Sequence, residues 1–385
     1  MIGVCLKFEN KNYGSKLQAL ATIRKFEELG MKFEIIHYNK RGLWFKIKSI
    51  PRLFNPIFLQ DKKELKKRQF AFNKHPEIKK KIELRNRYFN EYDEKYFNHF
   101  QVICDYFSDL KKQAYKYNAV ITCSDQLWSP AGLSTNFYNL MFVPDKIKKI
   151  SFASSFGVSK IPWYQYKRTR KYLNRIEHIS VRENSGQKIV YDLTGKIVPV
   201  LLDPVFAFDK KEWDKIVPPK TIYNFPYIFC YFLGTNVMHR KVVKTFAQDK
   251  GLKIVSINHL NNYVEYDNNF ADYAPYDINP NDFLNLIRSA EFVCTDSFHG
   301  TAFAIINEKQ FVVFNRYSDH SSISKNSRID TICDILELNH RRVNEETNLD
   351  EILPVKIDYQ PIKELLQVYK QKMTDYLNKS FKESK

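Results

Sequence analysis

Apolar positions along this 385-residue chain fall into short unbroken runs, separated by stretches in which they recur at helical spacing. Ile2 to Phe8 is apolar except at Gly3 and Lys7, the pattern of a strand buried on both faces. The loop Glu9 to Gly14 follows, and Leu17, Leu20, Ala21, Ile23 and Leu29 then predict a helix from about Ser15, closed by Gly30. Phe33 to His37 reads as the next strand. Strand, loop, helix and strand in that order open an α/β sheet. The same alternation predicts a helix near 103–116, strands at 118–123 and 149–154, and a helix near 163–174. A strand at 177–182, a helix at 184–193 and a strand at 197–202 end the first series. A polar connector runs from Asp203-Pro204 to Pro218-Pro219. The second series has strands at 226–232, 252–257, 291–295 and 310–314, and helices at 238–250, 281–289, 299–307 and 328–337. In the tail, Leu365, Leu366, Tyr369, Met373, Tyr376 and Leu377 share one helical face, so a helix over 361–380 is expected to pack back across the molecule.

A chain of this length exceeds one compact core. The pattern therefore predicts an α/β fold of two Rossmann-like domains facing a cleft, 1–205 and 206–385. Residues 40–100 interrupt the first of them. Lys62-Lys63, Lys66-Lys67-Arg68 and Lys79-Lys80-Lys81 alternate there with Trp44, Phe45, Phe54, Phe58, Phe70 and Phe72, which reads as a mostly helical excursion from the sheet.

Charge sharpens the picture. A formal net charge of +18 implies anionic company. The basic excursion reads as a solvated face, a nucleic-acid surface or a membrane-docking surface. No recognition motif, glycine-rich loop or zinc spacing points to nucleic acid. Bulky aromatics among lysines fit an anionic membrane surface best. The six cysteines stand singly with no CxxC pair, so neither a zinc knuckle nor a disulfide framework is indicated. Buried, reduced thiols fit the cytoplasm. No run of 18 apolar residues predicts a membrane span, and the N-terminal stretch lacks the charged leader of a signal peptide. The expected location is cytoplasmic, with peripheral contact to the inner face of the membrane. No metal-ligand cluster and no cofactor are expected.

Ligands of open α/β sheets collect outside the carboxyl ends of strands. Four polar stretches fall there: Asn12-Tyr13-Gly14-Ser15, Ser124-Asp125-Gln126-Leu127-Trp128, Ser180-Val181-Arg182-Glu183, and Thr295 to Gly300. The last sets a hydroxyl, a carboxylate, an imidazole and a glycine at a helix N-terminus, where free N–H groups and the helix dipole favour an anion. His299 there is placed to bind a phosphate or carboxylate, or to pass a proton near neutral pH. The plainer reading has Asp296 or Ser297 as a helix cap and His299 satisfied by backbone.

NYGSKLQALA (12–21), CSDQLW (123–128), SFASSFG (151–157), ISVREN (179–184), LLDPVF (201–206), TDSFHGTAFA (295–304) and SRID (327–330) together resemble the polysaccharide pyruvyl transferase family. They occur in the family's order and cover most of the chain. The resemblance implies a GT-B-like fold and transfer of pyruvate from phosphoenolpyruvate onto a sugar as a ketal, in bacterial surface polysaccharide biosynthesis. One departure stands out: many relatives carry an arginine two positions before the histidine, where this chain has Ser297.

On that footing His299 is the candidate general acid or phosphate ligand, and Asp296 its orienting carboxylate or only a cap. The donor side is expected to use Ser297, Gly300, Thr301, Arg182, Arg316 and Arg328, the last three supplying fixed cations for a doubly acidic donor. The acceptor, a free or lipid-linked sugar, is expected against the N-terminal half. Trp128 would offer it an aromatic face, Asp125 and Gln126 hydroxyl partners, and Asn12 and Gly14 a closely approaching loop. The bland alternatives are a core Trp128, turn residues at Asn12 and Gly14, and a surface ion pair at Arg182-Glu183. A glycosyltransferase using a nucleotide sugar is the alternative activity, because a diphosphate also suits a helix N-terminus. A non-catalytic anion-binding protein ranks last.

Overall fold

A computed structural model of the chain describes residues 1–41, 50, 54–131, 136–258, 263–316 and 327–382. The first sheet contains β1 (Ile2–Leu6), β2 (Phe33–Tyr38), β3 (Gln101–Cys104), β4 (Ala119–Cys123), β5 (Lys148–Ser154) and β6 (His178–Val181). Their spatial order is β3-β2-β1-β4-β5-β6, every pairing is parallel, and this is the Rossmann order. The helices of this half are α1 (Tyr13–Glu28), α2 (Pro56–Asn73), α3 (Pro76–Tyr96), α4 (Phe107–Ala114), α5 (Tyr166–Arg175) and α6 (Asn184–Thr194).

After α7 (Lys210–Ile216) the second sheet forms from β7 (Tyr227–Tyr231), β8 (Lys253–Ser256), β9 (Phe292–Thr295), β10 (Gln310–Phe314) and β11 (Arg342–Val343). Its order is β8-β7-β9-β10-β11, again all parallel, with α8 (Val237–Asp249), α9 (Pro280–Ser289), α10 (Phe298–Ile306), α11 (Ser327–Ile335) and the single turn α12 (Leu349–Ile352). The central strands β1, β4 and β7 are buried at every position, which is why they read as continuous apolar runs. Asparagines start several of the helices: Asn12 caps α1, Asn236 caps α8, and Asn279 with Asp282 forms a capping box ahead of Pro280.

Each sheet reverses its strand order once, between β1 and β4 in the first and between β7 and β9 in the second. These are the crevices where ligands of such sheets bind. The two crevices face one another. The largest hydrophobic cluster runs from β1 and α1 through residues 201–208 into β7, α9 and α10, so one core joins the sheets. Tyr13 crosses that junction. Its ring stacks on Phe283 at 5.2 Å, and its hydroxyl donates to the Ile278 carbonyl at 3.3 Å. The tail forms α13 (Tyr359–Lys382) and returns to the first sheet, where the Tyr376 hydroxyl donates to the Ser151 carbonyl at 2.7 Å.

Three expectations are corrected. The segment expected as one helix near 103–116 begins as β3, a four-residue edge strand too short to carry a periodic signal, and only then becomes α4. Residues 197–202 form no strand; Val200 makes a single bridge to Val181, and Leu201 and Leu202 turn into the joint core. The polar connector contains α7, whose capping box of Asp209 and Glu212 was its signal. Within the basic excursion α2 and α3 are helical as expected, while Trp44 and Phe45 lie outside the described residues. Its two helices behave differently. α3 packs between the domains: buried Lys16 of α1 pairs with its Asp93, and Tyr96 accepts from Asn281 at 3.0 Å. α2 leaves Leu59, Leu65 and Phe70 exposed.

Candidate active site

β9 stops at Thr295 and α10 starts at Phe298, so residues 295–300 form the loop at the second crevice. Ser297 is the cap of α10. Its hydroxyl accepts from the Gly300 N–H at 3.3 Å, and its carbonyl accepts from the Thr301 N–H at 2.9 Å and from the Thr301 hydroxyl at 3.0 Å. Gly300 and Thr301 were expected to offer those donors to an anion; they spend them on Ser297, and Thr301 is fully buried. Asp296 is also corrected. Its two oxygens accept from the backbone N–H groups of Leu233 at 2.6 Å and Gly234 at 2.7 Å. It ties the end of β9 to the loop after β7, and neither caps α10 nor orients the imidazole.

The carboxylate that faces His299 is Asp203. Imidazole Nε2 lies 3.7 Å from Asp203 Oδ2, longer than a hydrogen bond, and has no other partner among the described residues. Across the ring stands Gly14, at the start of α1. A methyl group there would fall 2.3 Å from the imidazole, so α1 reaches His299 only because position 14 carries no side chain. The imidazole is thus held where the first crevice meets the second.

Asp203 anchors this junction. Its Oδ2 accepts from the Ser124 hydroxyl at 2.9 Å and from Arg182 Nη1, and its Oδ1 accepts from the Val205 N–H at 3.2 Å. Burial disfavours its charge, but the attraction of Arg182 and His299 outweighs burial and holds the carboxyl down at about 2. Arg182 is buried, with Nη2 3.7 Å from Asp125 and Nε 4.0 Å from Glu183. A surface ion pair is therefore excluded for Arg182 and Glu183. Glu183 is itself fully buried and fastens the loop after β5, accepting from the Ser155 hydroxyl and from the Phe156 and Gly157 N–H groups.

The ring of Phe298 lies between two guanidinium groups, 5.1 Å from that of Arg182 and 5.5 Å from that of Arg328. Arg328 is lowered to about 10 by burial and by repulsion from Arg182. No described carboxylate lies within ion-pair distance of it, and its Nε has no described partner. Arg182 is neutralised on three sides, so Arg328 is the stronger candidate to meet an incoming anion. Arg316 follows β10 and packs beside Gly234, where a Cβ would lie 3.3 Å from its side chain.

Strain marks the facing loop. Ser124 and Asp125 have φ of 39° and 55°, two consecutive non-glycine residues in the left-handed region. Hydrogen bonds from Ser124 N–H to the Phe152 carbonyl and from Ser155 N–H to the Asp125 carbonyl hold them there. Burial opposes ionisation of Asp125, yet Lys7, Arg182 and His299 keep its carboxyl well below the usual range. The Ser15 hydroxyl donates to it at 3.2 Å. Asn12 is a helix cap, accepting from Ser15 N–H at 3.1 Å. The Gln126 amide nitrogen is buried beside Gly157 with no partner among the described residues.

Trp128 does not present a face to a sugar. It is fully buried between Phe156 at 5.2 Å and Tyr172 at 5.6 Å, and its indole N–H donates to the Tyr138 carbonyl. The structure thus gathers Gly14, Asp125, Arg182, His299 and Arg328, and turns Asp296, Thr301 and Trp128 elsewhere. It adds Lys7, Ser124, Glu183 and Asp203. Asp203 and Ser124 stand inside LLDPVF and CSDQLW, so their signal was present, although nothing local says which carboxylate meets the imidazole. Among the described residues no three His, Cys, Asp or Glu side chains converge on a metal position.

No curated protein matches the chain. Solved structures match its fold. A Listeria monocytogenes protein classed with the UDP-N-acetylglucosamine 2-epimerases shares 10% identity at a TM-score of 0.52, with 96% of this chain and 90% of that one covered. The UDP-GlcNAc 2-epimerase of Methanocaldococcus jannaschii shares 10% identity at a TM-score of 0.50, covering 95% and 91%. That of Neisseria meningitidis, solved with UDP-GlcNAc, shares 9% at 0.50, covering 98% and 99%. The two domains are therefore arranged in the GT-B-like manner. The family model for polysaccharide pyruvyl transferase matches residues 12–318, a span running from the cap of α1 past β10 and containing Asp125, Arg182, Asp203 and His299. The chain belongs to the polysaccharide pyruvyl transferase family.

Proposed function

We propose that this enzyme moves pyruvate from phosphoenolpyruvate onto two hydroxyls of a sugar, with His299 as the proton donor. The observation that carries the reading is the imidazole held between Asp203 and Gly14 at the meeting of the two crevices. The donor carries a phosphate and a carboxylate. Arg328, with Arg316 nearby, supplies cations to receive them, and the Arg182–Asp203 pair supports the floor. His299 delivers a proton to the methylene carbon of the donor, which becomes the methyl group and leaves an oxocarbenium-like centre at the neighbouring carbon. One sugar hydroxyl adds there, the carbon–oxygen bond to phosphate breaks with its electron pair going to phosphate, and the second hydroxyl closes the ketal. The hydroxyls give up two protons; one restores His299 and the other leaves on phosphate. Asp203 orients the ring and balances its charge throughout. No cofactor enters these steps.

A lipid-linked acceptor would lie at a bilayer, and α2 with the turn before it supports docking at an anionic one. Phe54 and Phe70 are 82% and 64% exposed, and Lys62, Lys63, Lys66 and Lys67 are exposed beside them. No helix of the described residues is long and apolar enough to cross a membrane. Calorimetric titration decides the donor. Phosphoenolpyruvate is expected to bind and UDP-N-acetylglucosamine not to compete with it; tight binding of the nucleotide sugar alone would replace this reading with a glycosyltransferase.

A further inference from the structure

Three guanidinium groups rank among the largest fully buried side chains: Arg85, Arg240 and Arg341. Arg240 shows what a structural one looks like. Its Nε and Nη2 grip Asp267, and its Nη1 and Nη2 donate to the Asn236 and Gly234 carbonyls. Arg341 donates to the Ile352 and Val355 carbonyls. Arg85 of α3 differs. Only its Nη1 is used, donating to the Asn258 carbonyl at 2.9 Å, while Nε and Nη2 have no partner among the described residues. Those two N–H groups form the side-on fork that grips a phosphate or carboxylate in two parallel hydrogen bonds.

The side chain is 2% exposed, and its face lies 4.2 Å from the ring of Tyr276. No described carboxylate pairs with it. Asp267 is committed to Arg240, and Asp282 to the cap of α9 and Lys220. Burying a guanidinium with no counter-charge is costly unless an anion arrives to complete it.

Its position names the occupant. Phe89, one turn further along the same face of α3, packs on Tyr13 at 4.7 Å, and Tyr13 precedes the Gly14 that touches His299. Tyr13 also meets the edge of Tyr231, the last residue of β7, whose buried hydroxyl is likewise unpartnered among the described residues. Arg85 and Tyr231 thus lie on the second crevice, across Tyr13 from the imidazole. We propose that Arg85, with the Tyr231 hydroxyl, forms a second anion subsite that holds a phosphate of the acceptor, which is therefore a phosphate-linked sugar rather than a free one. This rests on the reading that phosphoenolpyruvate fills the His299 side.

The test is calorimetric titration of the full chain with inorganic phosphate, glucose 1-phosphate, glucose and phosphoenolpyruvate, in wild type, Arg85→Lys and Arg85→Met. Lysine keeps the charge and loses the fork, which guards against a variant that merely unfolds. The expected result is that wild type binds glucose 1-phosphate at least tenfold more tightly than glucose, that both variants lose this preference, and that their affinity for phosphoenolpyruvate is unchanged. Equal loss for phosphoenolpyruvate would make the fork part of the donor site and overturn the proposal. So would unchanged binding of glucose 1-phosphate in both variants, or a preference for inorganic phosphate alone. If wild type fails to bind phosphoenolpyruvate, the donor reading falls, while the glucose 1-phosphate titrations still decide Arg85.

Discussion

His299 is one imidazole whose neighbours set what it can do. Asp203 stands 3.7 Å from Nε2 and is kept ionised by Arg182, and Gly14 closes the opposite side. Replacing His299 with alanine is expected to lower turnover by ~10²–10⁴, the range for losing a positioned proton donor. The measurement is phosphate released from phosphoenolpyruvate in the presence of acceptor, with the melting temperature checked alongside; near-wild-type turnover would remove His299 from the chemistry. Trp128 gives the opposite prediction. As a fully buried ring between Phe156 and Tyr172, its change to alanine should cost about 3–5 kcal/mol of stability in denaturant unfolding. Little change in stability with lost acceptor affinity would return it to the binding surface. These two residues mark the limit of local reading. The sequence places both at strand ends, but a loop residue there points either into the crevice or back into the core. Trp128 turns inward because Phe156 and Tyr172 come from segments 28 and 44 positions away to cover it.

At the scale of elements, the central strands and their following helices were legible because parallel strands buried on both faces leave unbroken apolar runs, as in β4 and β7. Edge elements were not. β3 exposes Ile103 to solvent, and β11 has two residues, so neither leaves a pattern to find. The basic excursion was legible as helix but not as two helices with separate work. Lys16 and Tyr13 hold α3 to the domain junction, whereas α2 displays apolar side chains among lysines. Changing Phe54 and Phe70 to serine should therefore weaken sedimentation with vesicles containing anionic lipid and leave phosphoenolpyruvate binding intact. Equal sedimentation of both proteins, or none with wild type, would end the docking role of α2.

For the whole molecule, the proposed chemistry depends on two crevices meeting at one ring. Asp125, Arg182 and Asp203 come from the first half and His299 and Arg328 from the second, so the site exists only when the domains are apposed. That pairing is also why Asp296 looked like the partner of His299. It is three positions away in the chain, while Asp203 is brought in by the fold from 96 positions away. The most direct test is a crystal structure of the enzyme with phosphoenolpyruvate. The donor's acidic groups should lie within hydrogen-bond reach of Arg328, with its methylene carbon beside the His299 imidazole. A donor bound away from His299, or a nucleotide sugar occupying that space while phosphoenolpyruvate fails to bind, would contradict the account.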